Sequence, residues 1–363
     1  MKMSSIEHGV IGAITIAVIL AAWWWVKRDA MKFRNLIAIT AAATFVLIVL
    51  GAFVRLSDAG LGCPDWPGCY GNLTPHFSAE QIQAAEAVQP GGPVSMAKAW
   101  KEMVHRYLAM FVGALIASIM FAAWRNRREW QQSPWLPTLL VVAVMFQAAL
   151  GAWTVTLLLK PAIVTAHLLG GIGILSLLSW LLSKQPGNGK WADGIMAPDG
   201  LRVLGFVALV VLFAQIMLGG WVSTNYAALA CADLPMCHGQ LVPSMDFANA
   251  YHLIRPLGIG PDGALLTLDA LTAIHWTHRV GAIIAVLVVG GFALRLMSLE
   301  SGKKAARMLV ALLAAQVVLG ISNVWFSLPL AVAVAHNGVA AMLFAWLLVV
   351  NLRMAKQSYR TGY

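Results

Sequence analysis

GLGCPDWPGC at residues 60–69 and ALACADLPMC at residues 228–237 each carry a C-x5-C pair, and between them they hold all four cysteines of the chain. Cys63 and Cys231 are 168 positions apart, as are Cys69 and Cys237. The same offset joins VLGAFV at 49–54 to MLGGWV at 217–222, while QAALGAW at 147–153 and QVVLGIS at 316–322 are 169 apart. So little drift over so long a distance describes one structural unit used twice in tandem.

Composition says what kind of unit it is. Of 363 residues, 60% are hydrophobic and only 11% charged, with a mean hydropathy of +0.76, far from soluble averages. A membrane span needs about 20 mostly apolar residues. Nine stretches qualify: 9–26, 35–56, 104–124, 136–157, 162–183, 201–222, 270–295, 307–327 and 331–352. Four belong to each repeat, and the first lies outside the duplication as a peripheral anchor. WWWVKRD ends that first stretch with cations and without a small-residue cleavage site, so a retained helix is expected rather than a cleaved signal.

The expected fold is an all-α polytopic membrane protein, two tandem four-helix bundles related by a pseudo-twofold along the membrane normal, plus one extra N-terminal transmembrane helix. Its parts are residues 1–34 (extra helix and basic loop), 35–184 (N-terminal bundle), 185–200 (linker), 201–352 (C-terminal bundle) and 353–363 (tail). A separate interfacial helix is expected in the long 71–101 loop, among its Ala, Gln and Glu residues.

The net charge of +10 sits in short clusters between apolar runs rather than on an aromatic-studded polar face, which argues against nucleic acid. The clusters around Lys27, Arg28, Lys32 and Arg34, Arg125 to Arg128, Lys184 to Arg202, Arg295 to Arg307 and Arg353 to Arg360 contain 17 of the 25 Lys and Arg, all at one membrane face. The positive-inside rule makes that face cytoplasmic and puts the N-terminus outside and the C-terminus inside. Only MKMSSIEH precedes the first span, too short for a mitochondrial presequence, so a bacterial cytoplasmic (inner) membrane is expected. Both cysteine loops then face the oxidising side. Cys63 with Cys69 and Cys231 with Cys237 is the simplest of three connectivities; the first pair is a staple or a redox couple.

The repeat also selects among nine histidines. His105 aligns with His278, and His167 with His336, whereas His8, His76, His238 and His252 find no counterpart and His275 aligns with Glu102. Each of the four matched histidines falls in the first turns of a helix entering from the outer face. Two imidazoles on different helices of a bundle, at one depth, can hold a planar haem between them. Small residues such as Gly113, Gly170, Gly171, Gly281 and Gly338 leave room for it, and Arg55, Arg106 and Arg279 supply positive charge for propionates. The carboxylate of Glu102, one turn before His105, makes the N-terminal pair the candidate reaction site and leaves electron transfer to the C-terminal pair.

At this point EMVHRY, VTAHLLGG, IHWTHR and AVAHNG, with RLSDAGLGCPDWPGC, resemble the haem A synthase family from about residue 35 to 352. The resemblance implies an oxidoreductase acting on a CH3 group, converting a ring methyl of haem O to a formyl by successive hydroxylations to make haem A for terminal oxidases. It implies that His105 and His167 flank the substrate haem O, with Glu102 the essential carboxylate, and that His278 and His336 are axial ligands of a haem b cofactor. It also implies membrane lipid surroundings, an electron donor it does not name, and a haem O synthase (protohaem farnesyltransferase) as partner; a homo-oligomer is compatible with it. Two rivals have different consequences: a di-haem b-type quinol-oxidising carrier gives Glu102 no purpose, and a thiol oxidoreductase leaves the histidine symmetry without a reason.

Overall fold

The computed structural model describes residues 5–186, 194–260 and 263–356. Lys190 and Arg360 of the basic clusters, and parts of the expected linker and tail, lie outside them. The described chain is helical apart from a short parallel pairing of β1 (Ile195–Ala197) with β2 (Met354–Lys356). Nine of its helices are long and apolar enough to cross a membrane.

The chain divides into two compact units. The first comprises the described parts of residues 1–181 together with 252–265; the second comprises those of 182–251 and 266–363. In the first lie α1 (Ser5–Val26), α2 (Ala30–Leu56), α3 (Ala79–Val88), α4 (Met96–Asn126), α5 (Trp135–Thr156) and α6 (Pro161–Ser183). The second holds α7 (Asp199–Thr224), α8 (Phe247–Ala250), α9 (Leu268–Met297), α10 (Lys303–Trp325) and α11 (Leu330–Arg353).

Polar punctuation starts and stops these apolar rods. Asp29 caps α2 by accepting from the amides of Met31 and Lys32, Ser95 caps α4 through Lys98, and Thr267 caps α9 through Ala270, each satisfying a donor that a helix start leaves open. The turns from α5 to α6 and from α10 to α11 reverse in the same way. Leu158 and Leu159 in one, Ser327 and Leu328 in the other, have positive φ, and each turn closes on a backbone bond from its fifth residue back, Leu159 to Thr154 and Leu328 to Asn323. Buried Thr40, Thr44, Ser118 and Ser176 return their hydroxyls to the carbonyl one turn earlier, so none carries an open polar group into the bundle.

In the second unit α7 packs on α9, α9 on α10, α10 on α11 and α11 on α7, a closed four-helix ring. In the first, α4 packs on both α2 and α5, and α6 meets α2 where Gly171 faces Ile48. Two details differ from expectation. The third span begins at Met96 rather than near 104, because Ser95 caps a polar turn that carries Lys98 and Glu102 beneath the first cysteine loop. The extra helix α1 is more than an anchor: it packs along α4, Glu7 accepts a hydrogen bond from the Leu73 amide, and Asn126 of α4 donates to the Lys27 carbonyl. The helix expected within 71–101 is α3, and its Ile82 is fully buried against Cys63, Cys69, Ala99 and Met103.

Candidate haem sites and the loops above them

Both cysteine pairs close as disulfides, Cys63–Cys69 and Cys231–Cys237, and all four residues are buried. The loops repeat one another atom by atom. Asp65 accepts from the amides of Tyr70 and Gly71, and Asp233 from those of His238 and Gly239. A β-bridge joins Cys69 to Asn72 in the first and Cys237 to Gln240 in the second. Gly62 lies so near the Lys98 backbone that an added Cβ would sit 2.5 Å from its carbonyl carbon, which fixes the first loop hard against the start of α4.

An arginine clasps each loop from below. Arg106 on α4 donates to the carbonyls of Asp65 (2.8 Å) and Gly68 (2.5 Å), while Arg279 on α9 donates to those of Cys231, Asp233 and Met236 at 2.6–2.9 Å. The residue one turn earlier completes the clasp. Glu102, only 4% exposed, accepts from the Cys63 amide at 2.9 Å and from Arg106 at 2.5 Å. His275, equally buried, accepts from the Cys231 amide through Nδ1 at 3.3 Å and faces Arg279 through Nε2 at 3.2 Å. The same place thus holds an ion pair in one half and an imidazole beside a cation in the other. Arg55 pairs with Asp58 at the end of α2, 3.7 Å away.

Beneath these clasps lie the four matched histidines. His105 is the tenth residue of α4 and His278 the eleventh of α9; His167 and His336 are each the seventh of α6 and α11. At 1.5 Å per residue this places the first two about 14–15 Å, and the second two about 9 Å, from their helix starts.

Each imidazole is seated against a glycine of the preceding long helix. An added Cβ at Gly51, Gly151, Gly219 or Gly320 would come within 3.0–3.2 Å of Cε1 of His105, His167, His278 or His336, respectively. The four glycines are those of the repeated LG dipeptides. Beside them run glutamine amides. Gln147 donates to the His167 carbonyl at 2.6 Å, Gln215 donates to the His278 carbonyl and contacts its Nδ1, both at 3.0 Å, and Gln316 reaches Nε2 of His336 at 3.1 Å.

A haem fits this donor set. Nδ1 of His105, His167 and His336 is buried with no hydrogen-bond partner, a state that burial penalises unless the ring has other work. Among the described residues no three or more His, Cys, Asp or Glu gather as a site for a bare metal ion. Paired neutral imidazoles on opposing helices are the donors that a planar iron porphyrin takes.

Sequence reading had picked out the four histidines, Glu102 and the arginines; it missed the glutamines and the seat glycines. Their signal is present as Gln-x3-Gly in QAALG, QIMLG and QVVLG, where LIVLG at 47–51 has Leu in place of the Gln. Gly170 and Gly281, expected to make room for the ring, instead lie against the Gln147 and Gln215 side chains.

Fold and site together define a polytopic helical membrane protein with one design used twice, each time a pair of half-buried imidazoles and a disulfide loop. Residues 34–348 match the family described as Cytochrome oxidase assembly protein, COX15-CtaA. The chain is 41% identical to a protein of Shewanella oneidensis named Heme A synthase, over 92% of this chain and 99% of that one. Proteins of the same name from Bradyrhizobium diazoefficiens and Alkalihalophilus pseudofirmus are 28% and 26% identical, over 89% and 88% of this chain and 92% and 97% of theirs. The chain belongs to the COX15-CtaA family.

Proposed function

We propose that this protein oxidises a ring methyl of haem O to a formyl group, making haem A, with the two halves divided between substrate and cofactor. The observation that carries the division is the exchange of Glu102 for His275 at otherwise matched positions. In this reading residues 35–184 form the substrate bundle and 201–352 the cofactor bundle, with 1–34, 185–200 and 353–363 as extra helix, linker and tail. His105 and His167 hold haem O; His278 and His336 hold haem b.

Bound iron porphyrin supplies the oxidising power that an unactivated methyl requires. The chain's own residues do the rest. The histidine pairs would hold the iron of each group, and the apolar helices around them would exclude bulk water. Glu102 keeps Oε1 on Arg106 and holds or passes a proton at Oε2, the oxygen bonded to the Cys63 amide. Arg106 and Arg279, fixed by loop carbonyls, and Arg55 at the end of α2 bring positive charge to propionates. The Cys63–Cys69 pair, buried under Ile82, acts as a staple for the loop that Glu102 touches.

The clustered Lys and Arg support a cytoplasmic C-terminus and an outside N-terminus in a bacterial inner membrane. A farnesyltransferase that makes haem O supplies the substrate; each of the two hydroxylations inserts one oxygen and takes two electrons from the methyl carbon, so an oxidant outside the chain is consumed, with a separate electron donor where that oxidant is dioxygen.

Co-expression with a haem O-producing farnesyltransferase, followed by extraction and mass analysis of the haems, tests the reading. Wild type is expected to yield the formyl haem, and Glu102→Ala to retain haem O or a hydroxylated form. Wild type that holds only haem b and leaves haem O unchanged in aerobic, reducing conditions would overturn it in favour of an electron carrier.

A further inference from the structure

Three of the four histidines have a glutamine amide beside them, and one does not. The glutamine always stands four residues before the seat glycine: Gln147 before Gly151, Gln215 before Gly219, Gln316 before Gly320. Four residues before Gly51 stands Leu47. One helical turn from a residue that touches the imidazole, this is the position from which Gln215 reaches His278 in the other half.

The facing helix has changed in step. Three residues after His278 is Gly281, whose missing side chain makes the notch for Gln215; three after His167 is Gly170, which does the same for Gln147. Three after His105 is Leu108. An amide and its notch in the C-terminal half have become two leucines in the N-terminal half. A pair of apolar side chains cannot hold either the backbone or the ring of a ligand by hydrogen bonding, and outer partners of this kind fix the orientation of metal-ligating histidines.

Resting on the reading that His105 and His167 hold the substrate haem, we infer that His105 is the exchangeable ligand of the four, released from amide support by Leu47 and Leu108. His167, tied through Gln147, is the firm one. The C-terminal pair has an amide at both imidazoles and keeps its haem. In the N-terminal pair no amide reaches a ring: Gln147 holds the His167 backbone carbonyl and Leu47 stands where an amide would reach His105, so a haem there would enter, open an iron position on the His105 side and leave. Leu47 and Leu108 are positioning residues in this scheme, since neither touches the reacting atoms.

The test uses the full-length protein loaded with haem O and haem b, with two readouts other than turnover: the rate of haem transfer to excess apomyoglobin, and the high-spin ferric signal in electron paramagnetic resonance. Wild type is expected to release haem in a fast and a slow phase and to show a high-spin fraction that goes with the fast one. Leu47→Gln combined with Leu108→Gly, which restores both amide and notch, should slow the fast phase about 10-fold and diminish the high-spin signal. Gln147→Leu should speed the fast phase by about the same factor and leave the slow phase alone.

If the double variant keeps its slow-phase haem, and so is folded, yet its fast phase and spin state match wild type, the inference is overturned. A Gln147→Leu protein with unchanged release overturns it independently. Wild type that binds one haem equivalent, with no second phase in any variant, overturns instead the assignment of substrate to His105 and His167.

Discussion

The two halves of this chain agree in their loops and imidazole seats and differ in a few side chains beside them. Their cysteine loops share the disulfide, the Asp65 or Asp233 turn, the β-bridge and the arginine clasp. Their four imidazoles share a seat on glycine. Against this common scaffold stand Glu102 for His275, Leu47 for Gln215, and the helix α1, which packs on α4 and lies outside the repeat. In the proposed reading, the duplicated bundle gives each half a pair of imidazoles, and a few side chains make one pair reactive and the other retentive.

Converting one half into the other breaks the comparison most severely. Glu102→His, which gives the N-terminal clasp the residue of its partner, is expected to lower formyl haem production at least about 100-fold while both haems stay bound. Mass analysis of extracted haem measures it, and an active variant would sink the idea that this exchange divides the labour. Next in size is His278→Ala against His105→Ala. The first should remove the retained haem b, seen as loss of its low-spin absorbance in purified protein, and the second should leave that absorbance in place. Equal losses would mean that the two pairs are not separate sites.

Much of this was legible in the residues alone, for identifiable reasons. Apolar runs of fixed length reveal spans because the bilayer has fixed thickness, and the repeat marked by the 168-residue cysteine offset pairs the histidines, 173 and 169 residues apart, without coordinates. Less legible was anything that depends on which side of a helix meets which neighbour. Gln215 is one polar residue in an apolar run until α7 is laid on α9, when it lies against His278. Arg106 reads as a residue for propionates; that its guanidinium also holds the carbonyls of Asp65 and Gly68 and the carboxylate of Glu102 becomes visible only once the loop is folded over α4. The start of α4 was placed too late because its first turns are polar, and hydropathy registers the membrane rather than the helix.

Smaller effects sharpen the comparison. Gly51→Ala and Gly219→Ala each set a methyl 3.0 Å from Cε1 of a ligand imidazole. Overpacking of this kind destabilises by about 1–3 kcal/mol, and the loss should appear as lower haem occupancy, in the N-terminal site for the first and the C-terminal site for the second. Gly151→Ala and Gly320→Ala, at 3.2 Å, should do less. Occupancy that falls equally in both sites for either variant would contradict the pairing of seats with histidines.

The mildest effect belongs to the C-terminal loop and to acid. The Gly239 amide, then that of His238, hold the Asp233 carboxyl below its ordinary range, with Arg279 adding a smaller pull in the same direction. A carboxylate whose folded pKa is depressed stabilises the fold fully above its unfolded value, near ~4, and that contribution is lost as pH falls through the folded value. Asp233 is half-buried in a surface loop, so the change should stay local: faster amide exchange at His238 and Gly239 as pH drops below about 4, after correction for intrinsic rates. Asp233→Asn, which keeps an acceptor without the charge, should flatten that pH dependence. A variant loop that still loosens in acid would place the sensitivity elsewhere, and the shared turn chemistry of the two loops would then be geometry alone.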